Sequence, residues 1–161
     1  MKRKFKVVAA GGTFDEFHKG HRVLLLKAFQ VGERVLIGLC TDQFARKLRK
    51  NHEVAPYKER LNELRRFLEK NGLTYRAEII PLNDPYGPTA TYSEIEALIV
   101  SRETERRAYE INEIRRKRGL TPLEIIVIDM VPAEDHVPIS STRIHFGEID
   151  REGRLLKKRD I

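Results

Sequence analysis

Gly11-Gly12-Thr13-Phe14-Asp15-Glu16-Phe17-His18-Lys19-Gly20-His21 is the stretch that decides the fold. Before it runs an apolar, β-branched segment, residues 5–10; after it comes a dense apolar stripe, residues 21–31. The first reads as a buried strand stopped by the two glycines. The second reads as a helix with Gly32 as its stop. The stretch between them is a short turn that delivers strand into helix.

Working outward, the same alternation continues. Residues 34–39 read as a second strand, and Thr41 or Asp42 can cap a short helix over 43–48. Residues 49–55 are polar and read as a loop. Pro56 opens a helix to Asn71, with Leu61, Leu64, Phe67 and Leu68 on one face and Gly72 after it. A third strand is expected over 75–80. A loop over 82–91 carries Pro85, Gly87 and Pro88, and a short helical piece is expected near 93–96. Residues 97–101 form a fourth strand. Thr104 starts a helix to Arg118, with Ala108, Ile111 and Ile114 at helical spacing and Gly119 and Pro122 beyond it. Residues 124–130 form a fifth strand. Ser140 and Ser141 cap a helix over 142–146, and the polar segment 147–161 is assigned no structure. Alternating strands and helices imply an α/β fold: a Rossmann-like doubly wound sheet of about five parallel strands with helices on both faces. Such sheets bind ligands at the carboxyl ends of their strands.

Composition bounds the rest. A chain of 161 residues suits one domain over 1–161 with a sizeable core, without internal repeats. Charged residues are 34% and apolar residues 40%, which excludes a disordered chain. The apolar runs, such as 7–10 and 125–128, fall far short of the ~20 residues a membrane helix needs. Lys2, Arg3 and Lys4 are followed by no apolar signal segment, so a cytoplasmic protein is expected. Cys40 is the only cysteine, which excludes an intrachain disulfide and a cysteine zinc cage. The net charge of +7 suits anionic partners: nucleic acid, acidic lipid or small phosphorylated molecules. A charge-rich chain with one Cys and no Trp also fits heat adaptation through surface ion pairs. Aromatics are only 7%, and no helix-turn-helix, zinc finger or stacking platform is visible, which counts against nucleic acid.

Two segments carry chemistry, and both follow strands. In the first, Gly11 and Gly12 allow close approach of backbone to a ligand, and Thr13 offers a hydroxyl and an N–H. Gly20 and His21 lie where a helix begins, so N–H groups and the positive end of the dipole meet an anion there. His18 and His21 are three apart and can serve one phosphate from two sides. The competing readings are a plain turn with exposed histidines and a metal shared by the two histidines, which lacks an evident third ligand. Neither a P-loop nor a G-x-G-x-x-G stretch is present. The second segment, Pro138-Ile139-Ser140-Ser141-Thr142-Arg143, reads as a capped helix start with three adjacent hydroxyls.

His18-Lys19-Gly20-His21 behind Gly12-Thr13-Phe14-Asp15 resembles the first signature of the nucleotidyltransferase superfamily defined by H-x-G-H. The second segment resembles its I-S-S-T-x-x-R signature, with His145 where the pattern has arginine and Arg143 in the first variable slot. Val100-Ser101-Arg102-Glu103-Thr104, the Arg106-Arg107 helix and Glu134-Asp135 narrow the resemblance to archaeal-type phosphopantetheine adenylyltransferases. That resemblance implies transfer of AMP from ATP to 4′-phosphopantetheine, giving dephospho-coenzyme A and pyrophosphate in coenzyme A biosynthesis. It implies Thr13, His18 and His21 as catalytic residues. Gly12, Thr13, Phe14, His18, Gly20, His21, Arg102, Glu110, Ser140, Ser141, Thr142 and Arg143 would bind ATP. Arg143 is preferred over His145 because its fork suits phosphate and is always charged. Thr13 with Lys47 or Lys50 would meet the acceptor phosphate. Arg115, Arg116, Lys117 and Arg118 are read as structural, surface ion-pairing charge. Mg²⁺ would arrive with ATP, held by phosphates and water, and coenzyme A is a candidate inhibitor. No nucleic acid, membrane or oligomeric state is implied. The rival readings are a superfamily member acting on nicotinamide mononucleotide, flavin mononucleotide or glycerol phosphate, and a basic nucleic-acid-binding protein. Cytidylyltransferases carry T-E-G-I-S-T-T at the second signature, so cytidine preference is not expected.

Overall fold

The computed structural model describes residues 3–48 and 52–156. Five strands, β1 (Phe5–Gly12), β2 (Gly32–Cys40), β3 (Ala77–Leu82), β4 (Ala97–Ser101) and β5 (Glu124–Ile128), form one sheet in the order β3-β2-β1-β4-β5. Every pairing is parallel. The chain winds outward from β1 to β3, crosses back to β4 on the far side of β1, and ends at β5. The reversal between β1 and β4 opens a crevice at their carboxyl ends, as in other doubly wound sheets.

Both faces of the sheet are covered because its strands are apolar on both sides. Helices α1 (Lys19–Val31) and α3 (Tyr57–Lys70) pack on Val8, Ala10, Val35, Ile37, Leu39, Ala97 and Ile99. Helix α4 (Glu105–Lys117) covers Ala9, Leu36, Leu98 and Val100 with Ala108 and Ile111. Two short helices, α2 (Asp42–Lys47) and α5 (Ser141–His145), follow β2 and β5 at the carboxyl edge. Thr41 caps α2 through its hydroxyl, 3.2 Å from the Phe44 N–H, and Ser140 caps α5 in the same way.

Several boundaries differ from the sequence expectation, each for a local reason. Gly11 and Gly12 continue β1, paired with Gly38 and Leu39 of β2, and do not stop it. Gly32 is extended (φ −114°, ψ 140°) and opens β2, so it ends α1 without a left-handed turn. Gly72 and Gly119 are the true left-handed stops, at φ +66° and +75°. A 3-10 turn over Thr74–Arg76 delays β3 by two residues. Residues 93–96 form a turn and an extended approach to β4, not a helical piece, and β5 ends at Ile128, before Met130.

The charge of α4 also needs correcting. Arg115 is not surface charge: it is 1% exposed and donates to the carbonyls of Thr121, Thr89 and Tyr92. Arg118 adds a bond to the Ala90 carbonyl, so the two arginines fasten the 86–92 loop to the end of α4. On the opposite face Arg60, also 1% exposed, bonds the carbonyls of Ala55, Thr13 and Cys40 and the carboxylate of Asp42. A single guanidinium thereby ties the turn after β1, the end of β2 and the start of α2 to α3.

The segment after α5 has structure too. Ile149 pairs with Leu155 across an antiparallel bridge and is fully buried against Ala133 and Ile139. The Arg151 carbonyl accepts from the Lys19 N–H at 2.9 Å, which fastens this segment to the first turn of α1. Arg143 is the hub: it binds Asp135, Glu148 and the carbonyls of Val137 and Pro138. Its hydrogen bonds hold the Asp135 carboxyl below the ordinary carboxylate range.

Replacing Arg60 with Met is expected to lower unfolding free energy by about 3 kcal/mol, because three carbonyls lose their donor. Urea denaturation of the purified variant checks this, and Arg60→Lys should recover little of the loss. The depressed Asp135 carboxyl contributes stability above its unfolded titration range, and this contribution is lost as pH falls through the folded value. Asp135→Asn is therefore expected to lower Tm at pH 7, with the gap to wild type closing below about pH 4. Thermal melts across pH 3–7 read this out.

Candidate active site

A cavity of about 580 Å³ opens at the carboxyl ends of β1, β2, β4 and β5. Gly11, Gly12 and Gly38 form part of its floor, and both signature segments line it. Leu36, Leu82, Tyr86, Pro88, Leu98 and Ile111 give it an apolar side.

The H-x-G-H stretch builds a helix cap from two imidazoles. His18 Nδ1 accepts from the N–H of Gly20 at 3.0 Å and of His21 at 3.4 Å. His21 Nδ1 accepts in return from the His18 N–H at 3.1 Å. This is a capping box in which rings replace the usual hydroxyl and carboxylate. Because both Nδ1 atoms accept, each neutral ring must carry its proton on Nε2. The rings stack with centroids 3.7 Å apart, and both line the cavity. Gly20 is required here, since a Cβ would lie 2.8 Å from His18 Cε1. The amides of Gly20 and His21, expected to meet an anion, are instead engaged by His18. The two histidines do come together as expected.

The turn before the cap is strained and is held by burial. Phe14 and Glu16 adopt left-handed backbone, at φ 52° and 51°, and Phe14 is buried. Phe14 and Phe17 pack against the His21 ring, with centroids 5.3 and 5.6 Å away. Asp15 lies between them in sequence and is buried. It accepts from the Ala55 N–H and faces His52 Nε2, both at 3.0 Å.

Of the expected ATP and catalytic residues, the cavity gathers Gly12, Thr13, Phe14, His18, Gly20, His21, Ser140, Ser141 and Thr142. Three of these, Arg102, Glu110 and Arg143, stand outside its lining, as does Lys47 of the expected acceptor residues. Arg143 is turned into its clamp with Asp135 and Glu148, so the expectation that it faces the triphosphate is not met. Arg102 is exposed and paired with Asp129 at 2.9 Å, while Arg107 in the first turn of α4 lines the cavity. Glu110 is exposed and lies 3.5 Å from the Tyr86 hydroxyl. Lys47 is exposed at the end of α2, one residue before cavity-lining Leu48, and Lys50 lies outside the described residues. His145 stacks on His52, with centroids 4.7 Å apart. Among the described residues, no group of three His, Cys, Asp or Glu side chains could hold a metal. No described helix is long and apolar enough to cross a membrane.

Sequence reasoning missed Asp15, His52, Arg60 and Arg107. Arg60 had a signal: it falls on the apolar stripe of α3 with Leu64 and Phe67, where an unpartnered charge would not survive. His52 had none, since it sits in a polar, aperiodic loop.

Comparison with known proteins agrees with this geometry. The cytidylyltransferase-like family model matches residues 9–145, from β1 through α5. A phosphopantetheine adenylyltransferase of Methanothermobacter thermautotrophicus is 52% identical, over 98% of this chain and 94% of that one. Another, of Methanopyrus kandleri, is 49% identical over 91% and 92%. A crystal structure of a protein of unknown function from Archaeoglobus fulgidus superposes with a TM-score of 0.70 at 31% identity, covering 84% of this chain and all of that one. A match that spans the sheet and both signature segments, with near-full-length relatives of one name, places the chain in the cytidylyltransferase-like family, among the phosphopantetheine adenylyltransferases.

Proposed function

We propose that this protein transfers AMP from ATP to 4′-phosphopantetheine, releasing pyrophosphate and forming dephospho-coenzyme A. The observation that carries the reading is the meeting of both signature segments in one cavity, in a chain about half identical to enzymes of that name. The acceptor phosphate attacks the α-phosphorus in line. One P–O bond forms as the bond to the pyrophosphate leaving group breaks. No covalent intermediate on the protein is needed. Its task is to hold two anions that repel each other and to stabilise the charge on the α-phosphate oxygens.

The residues divide this work by position. His18 and His21, with protons on Nε2, donate to the α-phosphate. Thr13 lies one residue beyond β1 and meets the attacking phosphate. Ser140 and Ser141 donate to the β- and γ-phosphates from the far wall, with Thr142 beside them. Arg107 supplies cationic charge on the α4 side. A lysine of the 47–50 segment, Lys47 or Lys50, faces the acceptor phosphate. The apolar side between Leu36, Leu82 and Tyr86 receives the uncharged arm of the acceptor. Mg²⁺ enters as part of the nucleotide substrate, held by phosphate oxygens and water.

A pyrophosphate-release assay with a panel of phosphorylated acceptors tests the assignment. Turnover is expected with 4′-phosphopantetheine. Turnover only with nicotinamide mononucleotide, flavin mononucleotide or glycerol phosphate would overturn it. In the same assay His21→Ala is expected to lower kcat by about 10³-fold, in line with loss of a transition-state donor. Its unfolding free energy should fall by about 2 kcal/mol, from one lost cap hydrogen bond and the lost ring packing on Phe14, Phe17 and His18, so the variant stays folded.

A further inference from the structure

His52 lies outside both signature segments, yet it joins them. Its side chain is fully buried, with Nε2 3.0 Å from Asp15 Oδ2 and Nδ1 3.3 Å from Thr142 Oγ1. Asp15 belongs to the turn after β1, and its other oxygen is taken by the Ala55 N–H. Thr142 belongs to α5 and lines the cavity. On the outer side His145 stacks on the His52 ring and shields it. This ring links the turn that carries the first signature to the helix that carries the second.

The chemistry of the two ends settles the roles. A carboxylate only accepts, so the proton toward Asp15 is on His52 Nε2. Asp15 thus sets the ring's orientation and tautomer, as a carboxylate does for a histidine in a catalytic triad or a metal's outer shell. Nδ1 then carries no proton and accepts from the Thr142 hydroxyl, which ties Thr142 to the ring.

We infer that His52 is a positioning residue for the nucleotide: oriented by Asp15, it accepts the Thr142 hydroxyl proton and so anchors the second signature, holding the Ser140 and Ser141 hydroxyls where they meet the polyphosphate. The inference rests on the proposed placement of ATP against Ser140, Ser141 and Thr142. It assigns a role in ATP affinity to a loop that carries no signature.

Two amide substitutions separate this role from plain structural support. His52→Gln places its amide nitrogen near the former Nε2, keeping the Asp15 bond and losing the Thr142 contact. His52→Asn places its amide near the former Nδ1, keeping the Thr142 contact and losing the Asp15 bond. Calorimetric titration of each full chain with Mg-ATP alone, beside a thermal melt, reads both effects. The expected result is a crossed pattern. His52→Gln melts near wild type but binds ATP about tenfold more weakly, and His52→Asn melts lower but stays within about threefold of wild-type affinity. Unchanged ATP affinity in His52→Gln, or affinity losses that simply follow Tm in both variants, would overturn the inference.

The double variant His52→Gln/Thr142→Val gives a second reading. It should bind ATP no more weakly than Thr142→Val alone, whereas additive losses would count against the link. Acceptor turnover is measured separately on the wild type. If the wild type binds ATP but fails with phosphopantetheine, the proposed acceptor fails and the role of His52 stands.

Discussion

Two imidazoles cap one helix, and everything at the site follows from that exchange. An ordinary N-cap is worth about 1 kcal/mol, which is modest. The greater consequence here is directional. With both Nδ1 atoms occupied by backbone N–H groups, the tautomer of His18 and His21 is decided before any ligand arrives. The rings are stacked, packed against Phe14 and Phe17, and cannot turn without breaking the first turn of α1. Gly20 is tied to the same device, because any side chain there would collide with the His18 ring. The geometry of the candidate site and the start of the helix are one structure.

The rest of the molecule holds that cap in place. Arg60 fastens the Thr13 carbonyl just before it, and the Arg151 carbonyl takes the Lys19 N–H within it. Arg115 and Arg118 secure the opposite wall through carbonyls of the 86–92 loop. Arginine suits this work because five donors in a rigid fork can gather several loop carbonyls at once. The surplus of +7 therefore has three separate uses. Some cations are buried scaffolding, some pair on the surface, and few line the cavity.

Most of the architecture was legible because apolar runs and glycine stops mark parallel strands and their helices clearly. The fourth strand matched to the residue, and α1, α3 and α4 within two. Boundaries failed where a glycine has two uses: Gly11, Gly12 and Gly32 looked like stops and are extended strand residues. At the site, the motif residues were legible because their chemistry is local. Arg143 was not, because its partners Asp135 and Glu148 are brought to it by the fold of the 132–156 segment, which carries no periodicity. Arg60 and Arg115 each lie on the buried face of a helix, at i+4 spacing to Leu64 and Ile111. A charge in an apolar stripe is a readable sign of a guanidinium that collects carbonyls.

The commitment of Arg143 changes how the polyphosphate would be held. With that guanidinium turned away and His145 stacked on His52, the second signature lines the cavity with Ser140, Ser141 and Thr142. The first signature lines it with two imidazoles whose protons lie on Nε2. Such a site is built mainly of fixed dipoles, with Arg107 as the cation among its lining residues. Fixed dipoles suit a reaction between two anions. A dense cationic cage would bind ATP, product and pyrophosphate alike and would slow release, whereas oriented donors stabilise charge only where it develops. Dipoles of this kind act only if they are held still, and buried arginines, a paired-histidine cap and the Asp15–His52–Thr142 chain hold this candidate site from all sides.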